Sequence, residues 1–265
     1  GHAKIEFHYV KILAFAVIGA FGIAYVAYLI FKRLTSHPNA IALAASYGSI
    51  SAVTFVTAST LLDKLAIPHG PYMVAAMALM ESPAILVAMF LYTKARRDEV
   101  GSTWRVVHHS LTNNSIVLLL GSFCIGLVLH PEAWTKVAPF YDGIFYGMLT
   151  LFLLDLGLAV AKRFEAVRKA PFRLFVAAIA VPVGCAMLAF VIAQMMGVGP
   201  GDTLLLMLLF GSASYIAAPA AMRTAVPESN PSLYLSLAMG ITFPFNILVG
   251  IPLYLWVITQ FGGGW

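Results

Sequence analysis

Apolar residues run along this chain in long blocks, and short polar and basic stretches separate the blocks. A block of about 20 apolar residues is long enough to cross the hydrocarbon core of a bilayer as a helix. No block alternates apolar and polar residues in the way that a membrane-barrel strand does. The pattern predicts eight membrane helices, of which the fourth and fifth are short. Their predicted ranges are 10–31, 41–62, 71–92, 115–129, 144–160, 174–196, 204–225 and 232–260.

The composition supports an all-α polytopic membrane protein. Hydrophobic residues make up 61% of the 265 residues and charged residues only 10%, whereas soluble domains are about 25% charged. The net charge of +5 does not predict a nucleic-acid partner, because the basic residues lie between the apolar blocks. The two cysteines, Cys124 and Cys185, lie inside apolar runs, which argues against a disulfide framework or a metal cluster.

The basic residues also predict the topology. If eight helices cross the membrane, 12 of the 16 basic residues fall on one side. That side is predicted to be cytoplasmic by the positive-inside rule. Both ends of this chain are then expected outside, or in the periplasm of a cell with an inner membrane. The 12 residues are Lys32, Arg33, Lys94, Arg96, Arg97, Arg105, Lys162, Arg163, Arg168, Lys169, Arg173 and Arg223.

The second and third predicted helices resemble the seventh and eighth. An aromatic-Gly-Ser-x-Ser motif occurs at 47–51 and again at 210–214, and a proline follows 32 or 30 residues later, at Pro83 and Pro244. The two copies are five crossings apart and therefore run in opposite directions. An inverted repeat whose helices are interrupted by Gly, Ser and Pro is typical of secondary transporters, with the substrate site near the membrane midplane.

The broken helices also indicate the charge of the substrate. A helix that restarts in the membrane presents free N–H groups and a positive dipole end. Two such ends and the motif serines would suit a small anion. The alternative is that Gly and Ser only allow helices to pack closely. Finding the motif twice, in matching frames of opposed helices, favours the binding site.

Two acidic residues lie well inside predicted helices, Glu81 and Asp155. An ionisable group at membrane depth is costly and is a functional candidate by default. Glu81 lies beside the Pro83 kink, where freed carbonyls could join it around sodium, and Thr242 and Asn246 occupy the mirrored kink. A protonated carboxyl bonded to a neighbouring helix is the alternative for both acids. No catalytic motif is recognisable, and no histidine or lysine lies at membrane depth to activate a serine, so an enzyme is not expected.

The residues that carry a family likeness lie mainly in the C-terminal half. They are the stretches at 211–223, 226–234, 240–246 and 250–254, together with Met80–Ala84 and the Leu-Leu-Asp-Leu-Gly run at Asp155. In these stretches the chain resembles the sodium-dependent bicarbonate permeases of the Sbt type. The likeness covers most of the chain from about Ile41.

This resemblance implies two inverted five-helix repeats, a core and a gate domain, and a homotrimer. Bicarbonate would lie between the broken helices with sodium beside it, and a PII-like regulator would bind the cytoplasmic face. Glu81 stands where the family often has Asp, and the loop 93–114 is short. The substrate shell implied by position is Gly48, Ser49, Ser51, Thr54, Ser212, Ser214 and Tyr215, and the repeated motif adds Gly211 to the predicted shell. The acids inside predicted helices and the mirrored kink predict Glu81, Asp155, Thr242 and Asn246 as sodium ligands.

The sequence therefore predicts sodium-coupled bicarbonate symport by alternating access, with no cofactor other than the coupling ion. Another small anion or carboxylate, coupled to sodium or protons, is the alternative. Residues 1–92 are predicted to be the last three helices of the first repeat, 93–114 a cytoplasmic connection, and 115–265 the complete second repeat. On this division we expect the native product to have ten helices, two of them before residue 1.

Overall fold

The computed structural model describes residues 7–95, 121–122, 125–126, 128, 131–168 and 171–262. Within these ranges the regular structure is helical throughout. Six helices in the described part of the chain are long and apolar enough to cross a membrane, which confirms the predicted all-α polytopic fold. They are His8–Phe31, His37–Lys64, Tyr72–Ala95, Ala138–Ala159, Phe172–Met195 and Pro231–Phe261. The predicted helix at 115–129 lies mostly outside the described residues.

The helices follow one another with short connections within residues 7–95 and 171–262. In chain order they are α1 (Phe7–Phe31), α2 (His37–Gly48), α3 (Ala52–Lys64), α4 (Tyr72–Glu81), α5 (Pro83–Ala95), α6 (Pro131–Arg168), α7 (Phe172–Met195), α8 (Pro200–Phe210) and α9 (Ala217–Ala225). The last span consists of α10 (Pro231–Leu237), α11 (Phe243–Phe245) and α12 (Ile251–Phe261), joined by π-helical segments at Ala238–Thr242 and Asn246–Gly250. Proline in the first turn of α2, α8 and α10 favours those starts, because its fixed φ suits a helix and its missing N–H has no partner there anyway.

Two spans are broken at the predicted motifs. The first break separates α2 from α3, and the backbone of Ser49 and Ser51 is extended there. Ser51 ends the break by capping α3, because its side chain accepts a hydrogen bond from the N–H of Thr54. The second break separates α8 from α9, and the Oγ of Ser214 accepts the N–H of Ala218 in the first turn of α9. Both helices thus restart within the span.

The two broken spans run in opposite directions. The loop after α3 meets the start of α8, where the N–H of Gly70 donates to Asp202 Oδ1 over 2.6 Å. At the other end of the bundle, the loop after α9 meets the start of α2, where the N–H of Asn230 donates to Asn39 Oδ1 over 2.7 Å. The beginning of each broken span therefore lies beside the end of the other, as an inverted pair requires.

The spans that follow the broken ones deviate from regular helix at proline. Ser82 separates α4 from α5, which begins at Pro83. In the last span, Pro244 lies between the two π-helical segments. Proline has no N–H to donate to the preceding turn, and a π-helical turn is a common way to absorb such a defect.

Small residues bring the supporting helices close to the breaks. A Cβ added to Gly48 would lie 2.4 Å from the Cβ of Ala24 on α1, and one added to Gly211 would lie 2.8 Å from the Cβ of Ala186 on α7. Helix α1 packs along α2 and α7 packs along α8. The two halves are therefore alike in how a long, unbroken helix supports the broken one, and glycine permits the close approach.

Candidate functional site

The two breaks contact each other directly. The N–H of Ser51, in the first break, donates to the Oγ of Ser212 in the second over 3.0 Å. The N–H of Ser214 donates to the carbonyl of Ser46 over 2.7 Å. These four residues are buried. The structure thus brings both predicted serine motifs to one place, although 163 residues separate Ser51 from Ser214 in the sequence.

Three hydroxyl groups form a relay across the breaks. Thr54 Oγ1 donates to Ser51 Oγ over 2.9 Å, and Ser51 Oγ donates to the Tyr215 hydroxyl over 3.4 Å. Since Ser51 gives its single hydrogen to Tyr215, the hydrogen at the end of the relay belongs to Tyr215. Hydrogen bonds in a chain polarise one another, which strengthens the last donor. The Tyr215 side chain is only 5% exposed, and its ring packs edge-on against Phe243 at a centroid distance of 5.3 Å.

Helices α3 and α9 both begin at the breaks. The first N–H groups of any α-helix have no acceptor within the helix, and that end of the helix carries a partial positive charge. Two such ends lie here beside buried hydroxyl groups, while no Lys or Arg belongs to the break residues 49–51 and 211–216. The arrangement suits a small anion that is held by neutral donors and helix dipoles.

Glu81 lies against the first break. Ser49 Oγ donates to the backbone carbonyl of Glu81 over 3.1 Å, which ties the break to the kink between α4 and α5. The Glu81 side chain is 7% exposed, and its Oε2 has no hydrogen-bond partner among the described residues. Because Ser49 has given its hydrogen to the carbonyl, its own oxygen lone pairs remain as acceptors.

Asn246 has the corresponding place at the second break. Its Nδ2 donates to the carbonyl of Gly211 over 2.8 Å, while its buried Oδ1 has no hydrogen-bond partner among the described residues. Each kinked span is therefore hydrogen-bonded to the adjacent break, and each has a buried side-chain oxygen without a hydrogen-bond partner among the described residues. These two oxygens could accept a ligand.

Thr242 lies in a different set of contacts. Its Oγ1 donates to the carbonyl of Ala178 over 2.8 Å and lies 2.8 Å from the Tyr47 hydroxyl. Pro182 explains the first contact, because a proline at that position cannot donate to the carbonyl four residues earlier. Thr242 thus supplies the hydrogen that α7 lacks, and Tyr47 joins the end of α2 to the last span.

The structure does not bring all the predicted residues together. Gly48 and Gly211 make close helix contacts, so packing accounts for both glycines, and their part in substrate binding stays a prediction. Asp155 is exposed on α6, a helix that packs against α10 and the π-helical segment after it. Its proposed sodium role also stays a prediction.

Sequence reasoning missed the roles of Ser46, Tyr47 and Pro182. Tyr47 is the aromatic residue of the first motif, which gave a signal, but its partner Thr242 lies 195 positions away. The Ser46 contact uses a backbone carbonyl, which no side-chain pattern can reveal. A proline within the apolar block of α7 implies a carbonyl without an N–H partner four residues earlier, but the sequence does not identify the group that satisfies it.

The site divides into donors and acceptors. Ser212, Ser214 and Tyr215 each accept a hydrogen bond and keep a hydroxyl hydrogen to donate. Glu81 Oε2 and Asn246 Oδ1 are buried acceptors, and the Ser49 oxygen is a third acceptor beside Glu81. Donors suit an anion and oxygen acceptors suit a hard cation, so one buried region offers ligands for both kinds of ion.

A comparison with protein families finds a match across nearly the whole chain. The family described as the Na⁺-dependent bicarbonate transporter superfamily matches residues 2–259. No curated protein matches the chain significantly.

Proposed function

The chain belongs to the Na⁺-dependent bicarbonate transporter superfamily, and from this membership we propose that it carries bicarbonate together with sodium across the membrane by alternating access. Membership and the apolar helices make it a multi-pass membrane protein of a transporter family rather than an enzyme family. The single observation that carries the proposal is the contact between the two breaks, Ser51 N–H to Ser212 Oγ at 3.0 Å.

Bicarbonate would bind where the breaks meet. Its charge and its oxygens call for several hydrogen-bond donors, which Ser212, Ser214 and Tyr215 offer beside the first turns of α3 and α9. Ser51 and Thr54 would support the anion through Tyr215, because their hydroxyl groups end the relay there. Ser49 gives its hydrogen to Glu81, so we assign it to the cation side of the site.

Sodium would bind beside the anion, at the kinks. Sodium takes oxygen ligands, and in transporters these often come from unwound backbone and neighbouring side chains. Glu81 Oε2 and the Ser49 oxygen would serve at the first kink, and Asn246 Oδ1 at the second. A sodium ion would lower the cost of burying the Glu81 carboxylate, and the adjacent positive charge would favour the anion. Coupling would follow from this mutual stabilisation.

The opposed broken spans support alternating access. The start of each broken span lies beside the end of the other. Each membrane face therefore has the start of one broken span and the end of the other, so the two faces are structurally alike. Among the described basic residues, Lys32, Arg33, Lys94, Arg173 and Arg223 lie at the end of the bundle where α2 begins. We propose that this end is cytoplasmic, in an inner or plasma membrane.

Uptake of labelled bicarbonate into proteoliposomes tests the function. The experiment compares an inward sodium gradient with an equal potassium gradient, at alkaline pH where dissolved CO₂ is scarce. We expect uptake to require sodium and to stop in the Ser212→Ala, Ser214→Ala double variant. This variant loses two donors and the acceptors of the Ser51 and Ala218 N–H groups, so its thermal unfolding is measured beside its uptake. Sodium-independent uptake would contradict the coupling, and faster uptake of nitrate or formate than of bicarbonate would identify a different anion as the substrate.

Assembly and regulation are proposed on the family likeness. We propose a homotrimer and a PII-like regulator on the cytoplasmic face. Exposed apolar residues on α6, such as Phe140, Met148 and Leu151, give that helix a face for lipid or for neighbouring subunits. Native mass spectrometry of the purified protein would test the trimer, and co-purification with a PII-like protein would test the regulator.

A further inference from the structure

Two hydrogen bonds at opposite ends of the bundle are related by the inverted repeat. Asn39 lies nine residues before Gly48, and Asp202 lies nine residues before Gly211. Each accepts a backbone N–H through its Oδ1, from Asn230 and from Gly70 respectively. Asn230 and Gly70 are themselves equivalent, because each directly precedes the proline that opens the next span.

Each of these bonds joins one half of the molecule to the other. Helix α8 packs against α3 and α4, and Asp202 ties the start of α8 to the loop between those two helices. Helix α2 packs against α9 and α10, and Asn39 ties the start of α2 to the loop between that pair. Since the contacts between the breaks hold the other ends of the same helices, each packed pair is fastened at both ends.

Close packing surrounds the Asp202 bond. A Cβ added to Gly201 would lie 2.3 Å from the carbonyl of Pro68, so α8 begins against the loop itself. Asp202 Oδ2 accepts the hydroxyl hydrogen of Tyr72, and the Tyr72 ring stacks on Tyr9 at a centroid distance of 4.4 Å. Gly70, Tyr72, Gly201 and Asp202 therefore form one closely packed contact, which we call the Asp202 joint. A small displacement of the start of α8 would disturb this contact.

We propose that Asn39 and Asp202 are a symmetric pair of positioning residues that fix the distance between the binding groups at the two breaks. A helix transmits a displacement of its start along its axis, and α8 has only eleven residues between Gly199 and Gly211. Loosening the Asp202 joint would thus move Gly211 and Ser212 relative to Ser51. The shared feature of the pair is an oxygen acceptor, since one member is neutral and the other acidic.

The symmetry predicts which substitutions are tolerated. Asp202→Asn and Asn39→Asp each install the residue that already works at the mirrored position, and both keep an Oδ1 acceptor. In Asp202→Asn the Nδ2 group would donate to the Tyr72 hydroxyl oxygen, which reverses that bond and keeps the contact. Asp202→Leu and Asn39→Leu keep a similar shape and lose the acceptor. Ser59→Ala is the matched control, because Ser59 bonds to His69 in the same loop over 2.9 Å but makes that bond within one half.

The measurement is the KM and kcat of sodium-driven bicarbonate uptake, and this readout rests on the proposed function. We expect each Leu variant to raise KM about three- to tenfold, as the weakening of roughly one hydrogen bond between the breaks and the substrate would do, with kcat changed less. The Asn and Asp exchanges and Ser59→Ala should stay within about twofold of wild type. A wild-type KM in both Leu variants, or an equal rise in Ser59→Ala, would overturn the proposal.

A second measurement does not need the substrate. The second measurement is the distance between two spin labels, at Leu65 and at Met195. Both residues are exposed, near the ends of α3 and α7, so this distance reports on the Asp202 joint. We expect a narrow distance distribution in the wild type and in Asp202→Asn, and a broader one in Asp202→Leu; identical distributions would overturn the proposal. If the wild-type protein does not carry bicarbonate, the proposed function fails, and these distances alone decide on the positioning pair. They serve equally if a Leu variant is too unstable for uptake assays.

Discussion

Removing the Tyr215 hydroxyl should weaken anion binding and leave the fold intact. Tyr215→Phe keeps the ring and its edge-on contact with Phe243, and it deletes the donor at the end of the Thr54–Ser51–Tyr215 relay. The bond that this hydroxyl accepts from Ser51 is long, at 3.4 Å, so its loss should cost little stability. The proposed bond to the substrate is therefore the larger of the two losses.

The size of the effect follows from the charge of the ligand. A hydrogen bond to a charged group contributes about 1.5–3 kcal/mol, which corresponds to roughly a 10- to 150-fold loss of affinity. Ser51→Ala would be harder to interpret, because Ser51 also caps α3, and loss of a cap costs about 0.5–2 kcal/mol of stability. Tyr215→Phe separates binding from folding more cleanly.

The assay is calorimetric titration of bicarbonate into purified protein at saturating sodium, with thermal unfolding measured on the same samples. Tyr47→Phe is the control, since it removes another buried hydroxyl that lies 2.8 Å from Thr242 and outside the donor set. We expect the control to lose about 0.5–1.5 kcal/mol of stability with little change in affinity. The reasoning is refuted if Tyr215→Phe binds as tightly as wild type, or if both variants lose affinity equally.

Three further predictions concern the first kink, the support of α7 and the orientation in the membrane. Glu81→Gln should remove sodium dependence from uptake, because it deletes the carboxylate at the first kink; unchanged sodium activation would move the cation elsewhere. Thr242→Val should cost about 1–3 kcal/mol by orphaning a carbonyl of α7, and adding Pro182→Ala should restore much of it, as melting curves of the single and double variants would reveal. A cysteine at Arg33 should resist an impermeant thiol reagent in intact cells while one at Leu65 reacts, and the reverse pattern would invert the proposed orientation.

Much of the fold could be predicted because its causes are local. Block length and hydropathy set the spans, and Gly, Ser and Pro at 47–51, 83 and 210–214 limited where a helix could continue. The inverted repeat also needed no coordinates, since an odd number of crossings between two copies requires opposite directions. The serines were identified because their motif occurs twice, and Asn246 because it occupies the kink that mirrors Glu81. Glu81 was identified because an ionisable group at membrane depth is rare enough to indicate a function.

The partner of each polar group was decided only by the tertiary structure. Ser49 and Ser212 occupy the same place in the repeat, yet Ser49 donates to the Glu81 carbonyl and Ser212 accepts from the Ser51 N–H. A motif specifies which hydrogens and lone pairs exist, whereas their direction depends on the group across the break. That group comes from a segment more than 30 residues away for Ser49 and more than 160 away for Ser212. The division of one symmetric motif into donor and acceptor sides is therefore a property of the packed bundle, because buried polar groups take whichever partner the packing places within reach.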